Sequence, residues 1–216
     1  MTIATNDLKI ELTSVKAGVD LDIGDDKIHD LTINNDTDAR INHLAASGSI
    51  DGDLIITSGI LNTFNRELTV DGDCSIAADG TLEANANGGQ DVTLGSLTIA
   101  DGGIYNATRK TTTITAKRAD NENAWANAAT FTHNNGKVKF AHPSAHSYVQ
   151  ESNFYDLELA LGGTGIKLRC FDSSGSLMSV FGDLTITQGI YEFNTAGDEI
   201  TVHGNTYIAA NGTFND

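Results

Sequence analysis

Short runs of alternating apolar and polar residues follow one another along most of the chain, separated by Gly, Asn and Asp. In LTV (68–70), VTL (92–94) and ITV (200–202), the apolar side chains fall at every second position. A period of two is typical of β-strands with one buried face, and Gly, Asn and Asp favour turns. The pattern therefore predicts an all-β chain of short strands.

A longer unit that begins with Gly-Asp-Leu, or a variant of it, recurs along the chain. Two clear copies are GDLIITSGILN and GDLTITQGIY, and the leading glycines of neighbouring copies lie 20 to 23 residues apart. Self-similarity at such a period indicates a repeat architecture. The copies occupy residues 52–62, 72–83, 95–106, 182–191 and 204–215.

The repeat predicts the fold, because a unit of two or three short strands cannot bury its apolar face alone. Stacked copies can do so, and each strand then pairs with its counterpart in the next coil about 4.8 Å away. We predict an all-β fold, a β-solenoid of the parallel β-helix type, right-handed, with about 20–23 residues per coil. Roughly 9–10 coils would span about 45 Å.

Two similar blocks are predicted within the solenoid. Residues 28–33 match residues 154–159, and each match is followed by another alternating stretch and a Gly-Asp-Leu unit. We therefore assign solenoid blocks to 23–116 and 151–216. Residues 1–22, with alternating apolar residues, form a lead-in strand, cap or anchor.

The stretch 117–150 between the blocks departs from the repeat. It carries the only tryptophan, Trp125, and the only proline, Pro143, of the chain. We predict an irregular, locally basic insertion that still contains strands. The alanine-rich piece 124–129 could form a short helix instead.

Composition and charge exclude several classes of partner. Gly, Thr, Asp and Asn make up 87 of the 216 residues, and the formal net charge is −16. This charge opposes binding to nucleic-acid phosphates and to anionic membrane surfaces. The chain has no run of 18 apolar residues, so it predicts no transmembrane helix, and its start predicts no ordinary secretory signal.

The repeat units and the stretch TFTHNNGKVKF at 130–140 resemble the degenerate repeats of bacterial and phage β-solenoid fibre and surface proteins. The resemblance covers most of residues 28–216, and the opening ATNDLK at 4–9 is similar to the starts of some phage head-decoration proteins. It implies a structural role on a virion or cell surface. It carries over no catalytic residues.

Aspartates at equivalent repeat positions are the candidate metal ligands. Stacked coils would bring such carboxylates within about 5 Å of one another, and calcium prefers several oxygen ligands. The alternative is that these side chains accept backbone N–H groups at the corners. We predict no cofactor and no resident metal; if calcium binds, the ligands are Asp51, Asp53, Asp71 and Asp73.

Stacked carboxylates also meet the 5–9.5 Å separation of the two catalytic carboxylates of a glycosidase. This distance therefore does not distinguish an enzyme from a structural repeat. Aromatic residues make up only 6% of the chain, which offers few platforms for sugars. We therefore predict a protein that is not an enzyme.

His142 and His146 flank Pro143, which favours a polar loop over a metal site. Cys74 and Cys170 fall on apolar faces and are predicted to be buried, reduced thiols.

Residues 109–139 are locally basic, with six Lys and Arg against two acidic residues. This stretch is either a solvated loop or a docking surface for an acidic partner, such as a neighbouring subunit. The candidate partner-binding residues are Arg109, Lys110, Lys117, Arg118, Trp125, Lys137 and Lys139.

These observations favour a structural protein of a phage virion: a capsid decoration, head fibre or tail fibre subunit that acts as a rigid acidic spacer or attachment element. Its partners would be other virion or filament proteins and further copies of itself, with a trimer possible. The alternatives are an extracellular bacterial surface, filament or adhesin solenoid, and a polysaccharide-binding or polysaccharide-degrading β-helix.

Overall fold

Parallel strands stacked coil on coil make up the structure, which is a computed structural model. It describes residues 8–13, 19–21, 28–35, 40–44, 48–85, 88–115, 122–144, 146–170, 177–193 and 196–215. The strands in these ranges are β1 (Lys9–Thr13), β2 (Val19–Leu21), β3 (Asp30–Asn34), β4 (Arg40–Leu44), β5 (Gly48–Ile50), β6 (Leu54–Asn62), β7 (Leu68–Glu83), β8 (Val92–Ile99), β9 (Ile104–Asn106), β10 (Thr111–Ile114) and β11 (Glu122–Asn127). They continue with β12 (Thr130–Thr132), β13 (Lys137–Phe140), β14 (Ser147–Val149), β15 (Asn153–Phe154), β16 (Asp156–Ala160), β17 (Lys167–Cys170), β18 (Leu177–Val180), β19 (Leu184–Phe193), β20 (Glu199–Val202) and β21 (Thr206–Asn215).

The strands form three columns, which we call sides A, B and C. Side A contains β1, β3, β11, β14 and β17; side B contains β2, β4, β9, β12, β15, β18 and β20; side C contains β5, β10, β13 and β16. The long strands β6, β7, β8, β19 and β21 turn a corner and contribute to two or three sides. All of these pairings are parallel, so the predicted β-solenoid is confirmed.

Ten strands stack in register on side A, from β1 to β21, which agrees with the predicted 9–10 coils, although the coils differ in length. Ladder partners on side A are 20 residues apart at Leu54 and Cys74 but 28 apart at Leu97 and Trp125. At about 4.8 Å per step, the ladder of side A spans about 43 Å from its first strand to its last.

Every second side chain of a strand points into the space between the three columns. These inward-pointing side chains form the core. Strand β7 shows the alternation clearly, with Leu68, Val70, Cys74, Ile76 and Leu82 buried between more exposed neighbours. The alternation of the sequence thus translates directly into burial. Of the described residues, none belongs to a helix long and apolar enough to cross a membrane.

The described part of 117–150 continues the solenoid, so the prediction of an irregular insertion is wrong there. Strand β11 pairs with β8 and β14, and β13 pairs with β10 and β16. Residues 124–127 lie in β11, which also excludes the short helix considered for 124–129. Pairing on both edges explains the choice, because a helix here would leave both neighbouring strands without a ladder partner.

Candidate functional site

The predicted basic surface is divided between a corner and a flat side. Arg109 and Lys110 lie exposed in the turn between β9 and β10. Lys137 and Lys139 lie on β13, and their ammonium groups are 2.9 and 3.1 Å from the carboxylate of Glu158 on the next coil. Lys117 and Arg118 lie outside the described residues.

Glu158 reduces the positive potential that Lys137 and Lys139 can offer to a partner. Burial alone would raise the pKa of Glu158, but the two ammonium groups outweigh it and lower that pKa. The carboxylate therefore stays ionised at neutral pH and partly neutralises both lysines. Of the predicted basic residues that the structure describes, Arg109 and Lys110 are the better-exposed cations.

Trp125 was predicted to bind a partner, but it does not lie on the surface. Its side chain is fully buried, with its ring centroid 4.8 Å from that of Phe131 and 5.3 Å from that of Phe154. A ring enclosed in this way cannot contact a partner directly.

The stacked aspartates hold the backbone of the next coil. The Oδ1 atom of Asp30 accepts the N–H of Asp53 at 3.0 Å, and Oδ1 of Asp53 accepts the N–H of Asp73 at 2.8 Å. A second ladder runs from Asp156 to the N–H of Asp183, at 2.9 Å. These contacts support the corner interpretation of the aspartates.

Calcium has no geometric support at Asp51, Asp53, Asp71 and Asp73. Among the described residues, which include all four, no group of three or more His, Cys, Asp or Glu side chains could hold a metal ion. At Asp53 the backbone amide of Asp73, on the next coil, already occupies a carboxylate oxygen.

Substitution of Asp53 distinguishes a calcium ligand from a side chain that accepts the backbone N–H of the next coil. Asp53→Ala is expected to lower the free energy of unfolding by about 1 kcal/mol, because the N–H of Asp73 loses its acceptor. Asp53→Asn keeps an oxygen there and should change that energy by less than about 0.5 kcal/mol. Thermal melts in EDTA and in calcium chloride should coincide for the wild type. A calcium-dependent rise in melting temperature that Asp53→Asn abolishes would contradict this.

Both cysteines are buried free thiols, as predicted. Burial raises the pKa of Cys74 to about 12, so its reactive thiolate is scarce at neutral pH. Cys74 and Cys170 thus behave as small apolar core residues.

His142 is a buried polar residue whose ring has no hydrogen-bond partner in the described structure. It follows β13 in the loop around Pro143, its side chain is fully enclosed, and both ring nitrogens are unpaired. Nδ1 of His146, the other histidine of the loop, instead accepts the N–H of Lys167 at 3.1 Å. Burial lowers the pKa of His142 to about 4, so this ring is neutral in the folded protein at neutral pH.

His142 predicts an acid-sensitive fold. Its pKa is about 4 when folded and about 6.5 when unfolded, so the unfolded chain binds the extra proton between these values. The free energy of unfolding should fall by roughly 1.5 kcal/mol from pH 6.5 to pH 5 because of this group. Urea unfolding across this range should show a smaller decline for His142→Leu, whereas the exposed control His203→Gln should follow the wild type. An unchanged slope in His142→Leu would refute the assignment.

A cleft opens on side B, where the ladder is interrupted. Strand β12 pairs with β9 and strand β15 pairs with β18, but β12 and β15 are not paired with each other. Sides A and C continue through these same coils. A cleft of about 460 Å³ lies here between the corner turns of two successive coils, and it is lined by Asn127, Ala128, Ala129, Phe131, Gln150, Glu151, Ser152 and Asn153.

Ser152 fixes one wall of the cleft through a buried network. Its Oγ accepts the indole N–H of Trp125 at 2.9 Å and an amide N–H of Asn127 at 3.1 Å, and it donates to the carbonyl of Glu151 at 2.7 Å. Gln150 adds a link, because its Oε1 accepts the backbone N–H of Asn127 at 3.0 Å. The two corner turns are therefore held at a fixed separation, and Trp125 supports the cleft from behind.

Sequence reasoning did not identify this cleft, although a signal was present. Earlier coils place Gly59, Gly80 and Gly102 at the corner between sides A and B, and Gly59 and Gly102 have φ angles near +89°. The two coils at the cleft carry NAA (127–129) and QESN (150–153) there, without glycine. Loss of the corner glycine from two successive coils was the readable departure from the repeat.

Searches of protein-family models, curated proteins and solved structures found no match to this chain. The likeness to phage and bacterial β-solenoid proteins therefore remains a resemblance in sequence pattern.

Proposed function

We propose that this chain is a non-enzymatic structural protein of a phage virion. It would be a capsid decoration, head fibre or tail fibre subunit that serves as a rigid acidic spacer or attachment element. The observation that supports this proposal is the continuity of sides A and C, whose parallel ladders run without a break from β1 to β21 and from β5 to β21, respectively. Their hydrogen bonds lie along the solenoid axis, so extending the molecule requires breaking whole ladders.

The charge of the chain suits such a role. A net charge of −16 keeps neighbouring copies apart in solution and opposes adsorption to nucleic acid. The exposed Arg109 and Lys110 offer a local exception at which an acidic partner, including another copy, could dock. The same mechanics would serve an extracellular bacterial surface or filament protein, which is the alternative location.

Immunogold electron microscopy of phage particles and cells from the source culture tests the location. Labelling of a capsid or tail by antibody against this chain is the expected result. Labelling confined to the bacterial envelope or to free filaments would overturn the virion proposal in favour of the alternative. Particles from a strain that lacks the gene serve as the control for antibody specificity.

A further inference from the structure

We infer that the cleft on side B is a binding site for a neutral carbohydrate, of the size of one or two sugar units. The cleft has about 460 Å³, within the range of about 300–1,000 Å³ that is usual for small-molecule sites. This inference goes beyond the spacer role and does not rest on it, because a rigid spacer needs no ligand site.

The polar groups of the cleft match a ligand rich in hydroxyl groups. Gln150 uses Oε1 to hold Asn127, which leaves its Nε2 amide as a donor. Among the described residues, the side chains of Glu151 and Asn153 have no hydrogen-bond or ionic partner, and both residues are exposed. An amide donor, a carboxylate acceptor and a second amide together can bind vicinal hydroxyls, which both donate and accept.

The opposite part of the cleft is apolar. Ala128, Ala129 and the half-buried Phe131 line it. A sugar ring carries C–H groups on its faces as well as hydroxyls around its edge, so it can use both parts of this lining. The lining therefore offers a sugar hydrogen-bonding groups on one part and an apolar surface on the other.

Charge and strand length select against other ligands. The lining contains Glu151 and no cation, in a chain of net charge −16, so phosphate, sulfate and uronate groups would be repelled. A single carboxylate is too few for a calcium site. Strands β12 and β15 have three and two residues, which is too short an edge to hold an added peptide strand.

The site is built in advance of any ligand. The Ser152 network fixes the wall that carries Glu151, and Phe131 and Phe154 both pack against Trp125. A preformed cleft avoids the entropic cost of ordering its loops when a ligand binds. The network makes Trp125 a reporter, because it is the only tryptophan and so gives one indole N–H signal.

Nuclear magnetic resonance titration of the full chain tests the inference. The neutral probes are maltotriose, cellotriose and triacetylchitotriose, and trigalacturonate is the anionic probe. We expect at least one neutral trisaccharide to shift the Trp125 indole signal and the side-chain amide signals of Gln150 and Asn153, with a Kd on the order of 1 mM. Trigalacturonate should leave them unchanged.

Two variants and a matched control test whether the carbohydrate binds at this cleft. Gln150→Glu keeps the acceptor for Asn127 but removes the amide donor, and Asn153→Ala removes a second amide; each should weaken binding about tenfold or more. The control Glu199→Gln changes an exposed carboxylate outside the cleft and should bind as the wild type does. Unchanged dispersion of the other amide signals will show that each variant is folded.

Three results would overturn the inference: no shift with any neutral probe up to about 20 mM, tighter binding of trigalacturonate, or equal binding by wild type and both cleft variants. These outcomes are independent of where the protein is located, so failure here and failure of the virion proposal can be told apart.

Discussion

Trp125→Ala is expected to lower the free energy of unfolding by about 4 kcal/mol, the largest effect of a single substitution that we predict. The indole lies fully buried among Tyr105, Phe131, Phe140 and Phe154, with ring centroids 4.8 to 6.5 Å away. Removing it leaves a cavity that the four surrounding rings cannot close without moving their strands. Urea unfolding followed by far-ultraviolet circular dichroism measures the loss.

Two further variants separate packing from hydrogen bonding in this cluster. Trp125→Phe keeps a ring but removes the N–H that Ser152 accepts, and it should cost about 1.5 kcal/mol. Phe181→Ala removes an aromatic ring that is 46% exposed and should cost less than about 1 kcal/mol. If Trp125→Ala cost no more than Phe181→Ala, the packing described for the core would be wrong.

Gly95→Ala is expected to cost at least about 3 kcal/mol, although it adds a single methyl group. A Cβ atom at Gly95 would lie 2.3 Å from the carbonyl oxygen of Gly72 and 2.6 Å from that of Asp71. Both oxygens belong to the backbone of the preceding coil, so no side-chain rotation can relieve the contact. The two coils would have to separate, which weakens the ladders at that corner.

The matched control is Gly165→Ala, because a Cβ there meets no atom within 4 Å. Its free energy of unfolding should stay within about 0.5 kcal/mol of the wild type. Parallel urea titrations compare the two variants. Equal stability of both alanine variants would show that the corner between sides C and A is looser than the structure has it.

Much of the fold could be predicted from local pattern, because strand alternation and the corner residues act over a few positions. The apolar faces, the parallel stacking and the burial of both cysteines followed from the repeat. The length of each coil did not, because the spacing of ladder partners ranges from 20 residues between Leu54 and Cys74 to 28 between Leu97 and Trp125. The number of residues in a corner turn depends on how the chain packs there, so the repeat period does not predict it.

The two solenoid blocks show the same limit. Leu54 and Leu184 occupy the same position in the Gly-Asp-Leu unit, yet Leu54 pairs on side A with Cys74 and Leu184 pairs on side C with Leu157. The second block is therefore rotated by one side relative to the first. A repeat unit specifies its own strands and corner. The side of the solenoid on which it lies depends on the number of residues between it and the preceding copies.

The candidate surfaces divide in the same way. Sequence placed Lys137 and Lys139 in a basic stretch, but only stacking brought Glu158 of the next coil beside them. The tryptophan stood out by its rarity, and the structure placed it in the core behind a cleft that no single coil contains.

By itself, the sequence determined the local structure: strands with one apolar face, corners of Gly, Asn and Asp, and an acidic surface. The tertiary structure alone decided which residues of different coils meet. It set the rotation between the blocks, the pairing of lysines with Glu158, and the gap between β12 and β15. The physical reason is that contacts within a coil depend on nearby residues, whereas contacts between coils depend on the summed lengths of the turns between them.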